Sequence, residues 1–402
     1  MTRRSVLALP LAAAAAPAAE TMPKVRAITA FVNVDPQTFD RQIRDAVAFL
    51  SAVRDRYHAA GFDVETIRVA TQPFPQYTAS LSHDAALEML RHIDDLGIKL
   101  GCMTAIGPAM SHDADDPKAV DLLADFLAKP AKTNACLVTA SDAGIHWNAI
   151  RQAARLIDSV SRRSAHGQGN LNFAAISMLK PHCPFYPGAY NAGAAKAFSV
   201  GLEGAGVVID VFKRARDPRT AGQALTAALT KYAQQAETIA MKAATPAWTY
   251  AGLDPTPAPL GEVSIGRAIE TFTGNAFGAP GTMTAVRIIT AAVQSVPVKR
   301  VGYSGLMVPV LEDAVLVRRW AERTFTRDSL LAYSAVCAGG LDTVPLPGDI
   351  GQEQIAEILS DVASLAHKWQ KPLAARLLPV PGRKSGEQTE FEDSRMANTL
   401  IQ

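Results

Sequence analysis

Residues 334–380 read SAVCAGGLDTVPLPGDIGQEQIAEILSDVASLAHKWQKPLAARLLPV, and their order of strand, helix and strand decides the fold class. SAVCAGGLDTV and PLAARLLPV are apolar runs without strict alternation, as expected of strands buried on both faces. Between them Ile355, Ile358, Leu359, Val362, Leu365 and Ala366 fall on one face at helical spacing. Asp349 reads as the cap of that helix, which is predicted to begin near Glu353. Two strands joined through a helix imply a right-handed crossover and parallel pairing.

The same alternation continues outward in both directions. The other strand candidates are RAITAFV, VETIRVAT, KLGCMTAIG, NACLVTAS, NFAAISML, AFSVGLEG, WTYAGLD and RVGYSGLMVP, which makes ten in all. Helical runs separate them. In DDPKAVDLLADFLAKP, Asp116 can cap, Pro117 suits the first helical position and Pro130 stops the run. Ten strands exceed an eight-stranded barrel, so a wide open sheet or a larger closed barrel fits. No linker-like Ser/Gly tract interrupts residues 24–392, which read as one domain followed by a C-terminal tail at 393–402.

The composition is that of a folded globular chain, with 402 residues, 48% hydrophobic and 19% charged. Its first 19 residues, MTRRSVLALPLAAAAAPAA, carry the marks of an export signal: Arg3 and Arg4, an apolar run too short to span a bilayer, and small residues for cleavage near Ala19. TRRSVLA resembles a twin-arginine signal, with Val6 where phenylalanine is usual, so the general secretory route stays open. A periplasmic or secreted location is the expectation, with no membrane attachment after cleavage. Without Arg3 and Arg4 the 40 basic residues match the 38 acidic ones, and no basic stripe interleaved with aromatics is present. Nucleic acid is not the expected partner. A homo-oligomer is compatible with this composition. Cys102, Cys136, Cys183 and Cys337 are scattered inside apolar runs and read as free buried thiols.

Small residues crowd the expected strand ends GLEGAG, AGLDPTPAP, GYSGLMVP and CAGGLDTVPLPGD. In parallel α/β folds the site lies at the carboxyl ends of strands, where Glu203, Asp254, Ser304 and Asp342 can converge. Arg68 and Arg376 stand inside apolar strands, where a charge is costly unless it meets an anionic ligand or a carboxylate such as Asp342 or Glu203. Adjacent strands would bring Asp342 to Arg376. Thr282, at a helix start, offers free amides to an anion. Glu312 and Asp313 open another helix, where the dipole accounts for them as well as a metal does. Cys337 lacks a histidine nearby in sequence and suits packing better than nucleophilic attack. His182, in a proline-rich loop after a strand, is the best placed of the 8 histidines for acid–base work. The candidate catalytic residues are therefore Asp342, Glu203, Cys337 and His182, and the candidate ligand-binding residues Arg376, Arg68, Ser304 and Thr282. No metal-ligand spacing and no cofactor motif (G-x-G-x-x-G, P-loop, H-E-x-x-H or G-x-S-x-G) occurs.

GLDTVPLPGDIGQEQIAEILSDVASLAHKWQKPLAARLLPVPGRKSGEQTEF, CPFYPGAYNAGAAKAFSVGLEGA, AGLDPTPAP, GAPGTMTAVRIIT and GYSGLMVPVLED together resemble the family known as domain of unknown function 711. The resemblance runs in order along nearly the whole chain after residue 19, with Asn191 where relatives tend to have histidine. It implies a mainly parallel ten-stranded α/β barrel like that of pyruvate formate-lyase and other glycyl radical enzymes, and no established activity. A radical mechanism does not fit, because the loop-like KRVGYSG precedes Cys337 instead of following it. Two readings follow. One is an exported enzyme that uses strand-end carboxylates and arginines on a small anionic metabolite by acid–base or hydrolytic chemistry. The other is a non-catalytic binding protein for such a ligand.

Overall fold

Apolar runs become strands wherever both their faces find cover. The computed structural model describes residues 21–215 and 217–402. Its strands are β1 (Lys24–Val32), β2 (Ile67–Thr71), β3 (Met103–Pro108), β4 (Asn134–Ser141), β5 (Gly144–Ile145), β6 (Phe173–Ser177), β7 (Ala197–Glu203), β8 (Thr249–Asp254), β9 (Gly340–Pro347) and β10 (Leu373–Val380). They form one 10-stranded sheet in the order β8-β7-β1-β2-β3-β4-β6-β10-β9, with β5 folded back on β4. β1, β2, β3, β4 and β6 are mutually parallel. β7 joins β1 antiparallel and β10 joins β6 antiparallel, while β8 follows β7 and β9 follows β10 in parallel. The sheet is thus mostly parallel but mixed, with a central group of five strands flanked by two pairs that run the other way.

The predicted strand RVGYSGLMVP is not one. Gly302 and Ser304 have left-handed backbone (φ 71° and 46°), which no extended run tolerates. Its backbone pairs with the sheet by isolated bridges, Leu253 with Arg300 and Pro309 with Asp342. It lies between the two edge strands β8 and β9, so no ladder closes the sheet into the expected barrel. β9 also starts later than predicted. Ser334 ends the helix Arg327–Ser334, and Cys337 sits in the following turn, its N–H donating to Tyr333 O at 2.9 Å. The helix expected near Glu353 runs Gln352–Trp369 with Gly351 at its N-cap. Gly351 N–H donates to Gln354 Oε1 at 3.2 Å, so Asp349 is not the cap.

One face of the sheet packs under the helices. There Ile355, Ile358, Leu359, Val362 and Ala366 of the predicted stripe are buried and Leu365 is half-buried, each large buried side chain contributing about 1.5–3 kcal/mol. The other face is lined with small residues, among them Ala70, Ala105, Ala174 and Ala374, which pack against Phe185, Tyr186 and Ala189. Alanine on that face leaves the volume that the inserted loop 182–191 fills. The last residues pack as well. Met396 and Ile401 are buried, and Gln402 Nε2 donates to Trp320 O at 2.8 Å and Phe325 O at 3.0 Å.

Candidate functional site

Opposite strand directions build one rim from unlike ends. Because β7 and β8 run against the central five, their carboxyl ends lie beside the amino ends of β1 and β2; Glu203 pairs in register with Lys24. A cavity of about 250 Å³ opens at this rim. Its charged lining includes Arg26, Glu65, Arg68, Glu312, Asp342 and Arg376. Met103, Asn134 and Ala174, at or near the amino ends of β3, β4 and β6, complete it, with Arg395 from the C-terminal segment. The sequence rule that carboxyl ends form the site holds here for only part of the rim, since it assumes strands of one direction.

Two of these arginines are each shared by two carboxylates. Arg26 Nη1 lies 2.8 Å from Glu65 Oε2 and 3.0 Å from Glu203 Oε2. Arg376 Nη2 lies 2.8 Å from Glu312 Oε1 and 2.7 Å from Asp342 Oδ1. A third, Arg395, is paired with Asp393 at 2.8 Å. Burial, reinforced by neighbouring Glu65, raises the Glu203 carboxyl to about 7 against the pull of Arg26. Burial likewise raises Asp342, with Arg376 opposing and Glu312 adding to the shift.

Arg68 differs from all three. It is 6% exposed and makes no ion pair among the described residues. Its Nε donates to Thr66 Oγ1 at 2.9 Å, and no hydrogen bond engages Nη1 or Nη2 among those residues. The Tyr186 ring lies under the guanidinium, 4.8 Å away, and the Tyr186 hydroxyl is fixed by donating to Val69 O at 3.0 Å. Burial, with Arg26 adding repulsion, lowers the Arg68 pKa to about 10, which still leaves it charged at neutral pH.

Of the residues singled out in the sequence, Asp342, Arg376 and Arg68 meet at the cavity, and the expected Asp342–Arg376 pair is present. Glu203 stands behind Arg26. The others lie elsewhere. His182 is at the far end of the strands, where its Nε2 is 3.1 Å from Asn191 Oδ1 and its ring meets Phe31 edge-on; burial lowers its pKa. Cys337 is buried in the core against the helices, and burial raises its thiol. All four cysteines are free and buried. Ser304 Oγ donates to Val301 O at 3.0 Å within its own turn. Asp254 holds that turn by accepting from Tyr303 N–H at 2.7 Å and Thr256 Oγ1 at 2.6 Å. A Cβ on Gly302 would come within 2.3 Å of the same carboxylate. Thr282 accepts from Gly278 N–H at 3.0 Å at its helix start and does not line the cavity. Asp313 caps its helix by accepting from Val315 and Leu316 N–H, as the dipole reading requires. Among the described residues no group of three or more His, Cys, Asp or Glu side chains could hold a metal ion.

Arg26, Glu65, Tyr186, Tyr303 and Arg395 were not legible as site residues. Arg26 carried a signal, a charge opening the apolar run RAITAFV, of the same kind that marked Arg68. Arg395 carried none, for it lies in a polar stretch far from any strand.

Comparison with known proteins places this chain in a family. The family described as "Uncharacterised ACR (DUF711)" matches residues 18–393. A UPF0210 protein of Pyrobaculum arsenaticum is 31% identical over 392 residues, covering 90% of this chain and 86% of the relative. One from Pyrobaculum aerophilum is 30% identical with the same coverage, and one from Methanopyrus kandleri 26% identical over 91% of this chain and 88% of the relative. These names state neither an activity nor export. The leader read at residues 1–19 lies outside the described residues, and no described helix is long and apolar enough to cross a membrane. The four candidate catalytic residues do not share one site. The reading of an exported acid–base or hydrolytic enzyme is therefore not upheld. With a match over most of its length, the chain belongs to the uncharacterised DUF711 family, whose curated relatives are named UPF0210 proteins.

Proposed function

We propose that the cavity binds a small anionic metabolite, with Arg68 receiving its anionic end. The observation that carries this reading is the contrast among the arginines of one cavity. Arg26, Arg376 and Arg395 all meet carboxylates, whereas Arg68 is buried with neither Nη group engaged among the described residues. A buried charge without a partner is costly, and an incoming carboxylate or phosphate would remove that cost through the two parallel hydrogen bonds a guanidinium is shaped to make. The volume, about 250 Å³, lies below the ~300–1,000 Å³ usual for drug-sized ligands, which favours a small metabolite. We further read residues 300–309 as standing in for a closing strand, so that sheet, segment and inserted loop together enclose the cavity as a barrel would.

The test is thermal denaturation and calorimetry of the full chain with small carboxylates and inorganic phosphate, beside Arg68→Met. Binding to the native state raises Tm with ligand concentration. The expected result is a concentration-dependent rise in wild type that Arg68→Met abolishes. Equal stabilisation of the two proteins would overturn the reading.

A further inference from the structure

We propose that the ligand is a zwitterion of amino-acid type, its carboxylate on Arg68 and its ammonium against the paired carboxylates Asp342 and Glu312. This rests on the reading of Arg68 as the anion receptor and adds a second pole to it. The Arg376 guanidinium reaches Glu312 through Oε1 and Asp342 through Oδ1 only. One cation between two carboxylates leaves that side of the cavity with an excess negative charge, and each carboxylate keeps a second oxygen outside the pair. Both side chains are nearly buried, at 13% exposure each, so water does not screen the excess well. Arg26 repeats the pattern with Glu65 and Glu203 and also attracts Glu312, so two guanidiniums answer four carboxylates.

The two poles stand on different parts of the sheet. Arg68 is on β2 and Asp342 on β9, with β3, β4, β6 and β10 between them in the strand order, yet both line one cavity. A simple monoanion would neutralise Arg68 and leave the Asp342–Glu312 excess untouched. A simple amine would do the reverse and leave Arg68 unpaired. A molecule carrying both charges satisfies the two together, each ammonium and carboxylate gaining an opposite charge in a poorly screened site. Tyr303 adds a third polar feature. It is 8% exposed, lines the same cavity, and its hydroxyl makes no hydrogen bond among the described residues. A further polar atom on the ligand has a partner there.

The experiment compares matched probes on the full chain by calorimetry and thermal denaturation. Straight-chain α- and ω-amino acids of two to six carbons are set against the carboxylic acids that lack the amino group and the amines that lack the carboxylate. At least one amino acid is expected to bind tenfold or more tightly than both of its truncated partners. Glu312→Gln is expected to shrink that preference towards unity while carboxylate binding persists, and Arg68→Met to remove binding of both classes. Asp342→Asn serves as the second variant should Glu312→Gln fail to fold. If the acids bind as tightly as the amino acids and Arg68→Met abolishes both, the zwitterion inference is overturned and the anion reading stands. Silence across the whole set, or binding that ignores Arg68→Met, overturns both.

Discussion

Arg68 and Arg376 are both buried guanidiniums lining one cavity, and their partners give them opposite energetic roles. Removing Arg376 strands Asp342 without a counter-charge and leaves Glu312 only Arg26, a loss of about 3–5 kcal/mol for a buried pair broken on one side. Removing Arg68 strands no carboxylate and relieves an unpaired charge. Arg376→Met is thus expected to lower the denaturation midpoint sharply in urea, while Arg68→Met leaves the ligand-free protein within about 1 kcal/mol of wild type or above it. Glu203 gives a second contrast. Its folded pKa, near 7, is higher than an ordinary carboxylate's, so between about 4.5 and 7 the folded state holds a proton that the unfolded state has released. Its contribution is fully present below the unfolded value and is lost as pH rises through about 7. Thermal midpoints measured from pH 4.5 to 8 should therefore fall more in wild type than in Glu203→Gln. A steeper fall in the variant would contradict this. These charges were partly visible in the sequence because an arginine inside an apolar run stands out. Tyr186, which orients Arg68, was not, since an aromatic in a proline-rich loop looks the same whether it packs or binds.

At the level of elements, nine of the ten predicted strands form, because a run of Val, Ile, Ala and aromatics has little alternative once both faces are covered. The exception, RVGYSGLMVP, has the same composition. What separates it is conformation, left-handed backbone at Gly302 and Ser304 held by the Asp254 carboxylate, and neither feature has a compositional mark. Strand direction was equally hidden, since parallel and antiparallel strands buried on both faces read alike. The start of β9 depends on Gly340, whose φ of 80° sets the chain against β10. A Cβ there would come within 2.1 Å of Ala374 O. Gly340→Ala is expected to cost roughly 2–4 kcal/mol, the left-handed strain plus displaced pairing, measured as a shift of the urea midpoint. A change under half a kcal/mol would mean that β9 enters the sheet differently.

For the molecule as a whole, nine of the ten segments were legible as strands of one α/β sheet, while the mode of closure was not. Every neighbouring pair in the order from β8 to β9 is joined by a ladder of hydrogen bonds. Between the outermost strands the chain relies on a few contacts: Leu253 N–H to Lys299 O at 2.8 Å and Val301 N–H to Leu253 O at 3.2 Å on one side, and Val310 N–H to Asp342 O at 3.0 Å on the other, with Ala338 N–H, just ahead of β9, to Leu306 O at 3.1 Å. That makes residues 300–309 a seam. Parting it breaks isolated bridges and no ladder, and Tyr303, Met307 and Pro309 on it face the cavity. Local opening follows the regions with least backbone support. Native-state hydrogen exchange should find the Val301 and Val310 amides released well before those of the β1–β2 ladder, and slowed once the cavity is filled. A solute headed for an arginine that is only 6% exposed needs a doorway, and the stitching is loosest where the sheet never became a ring.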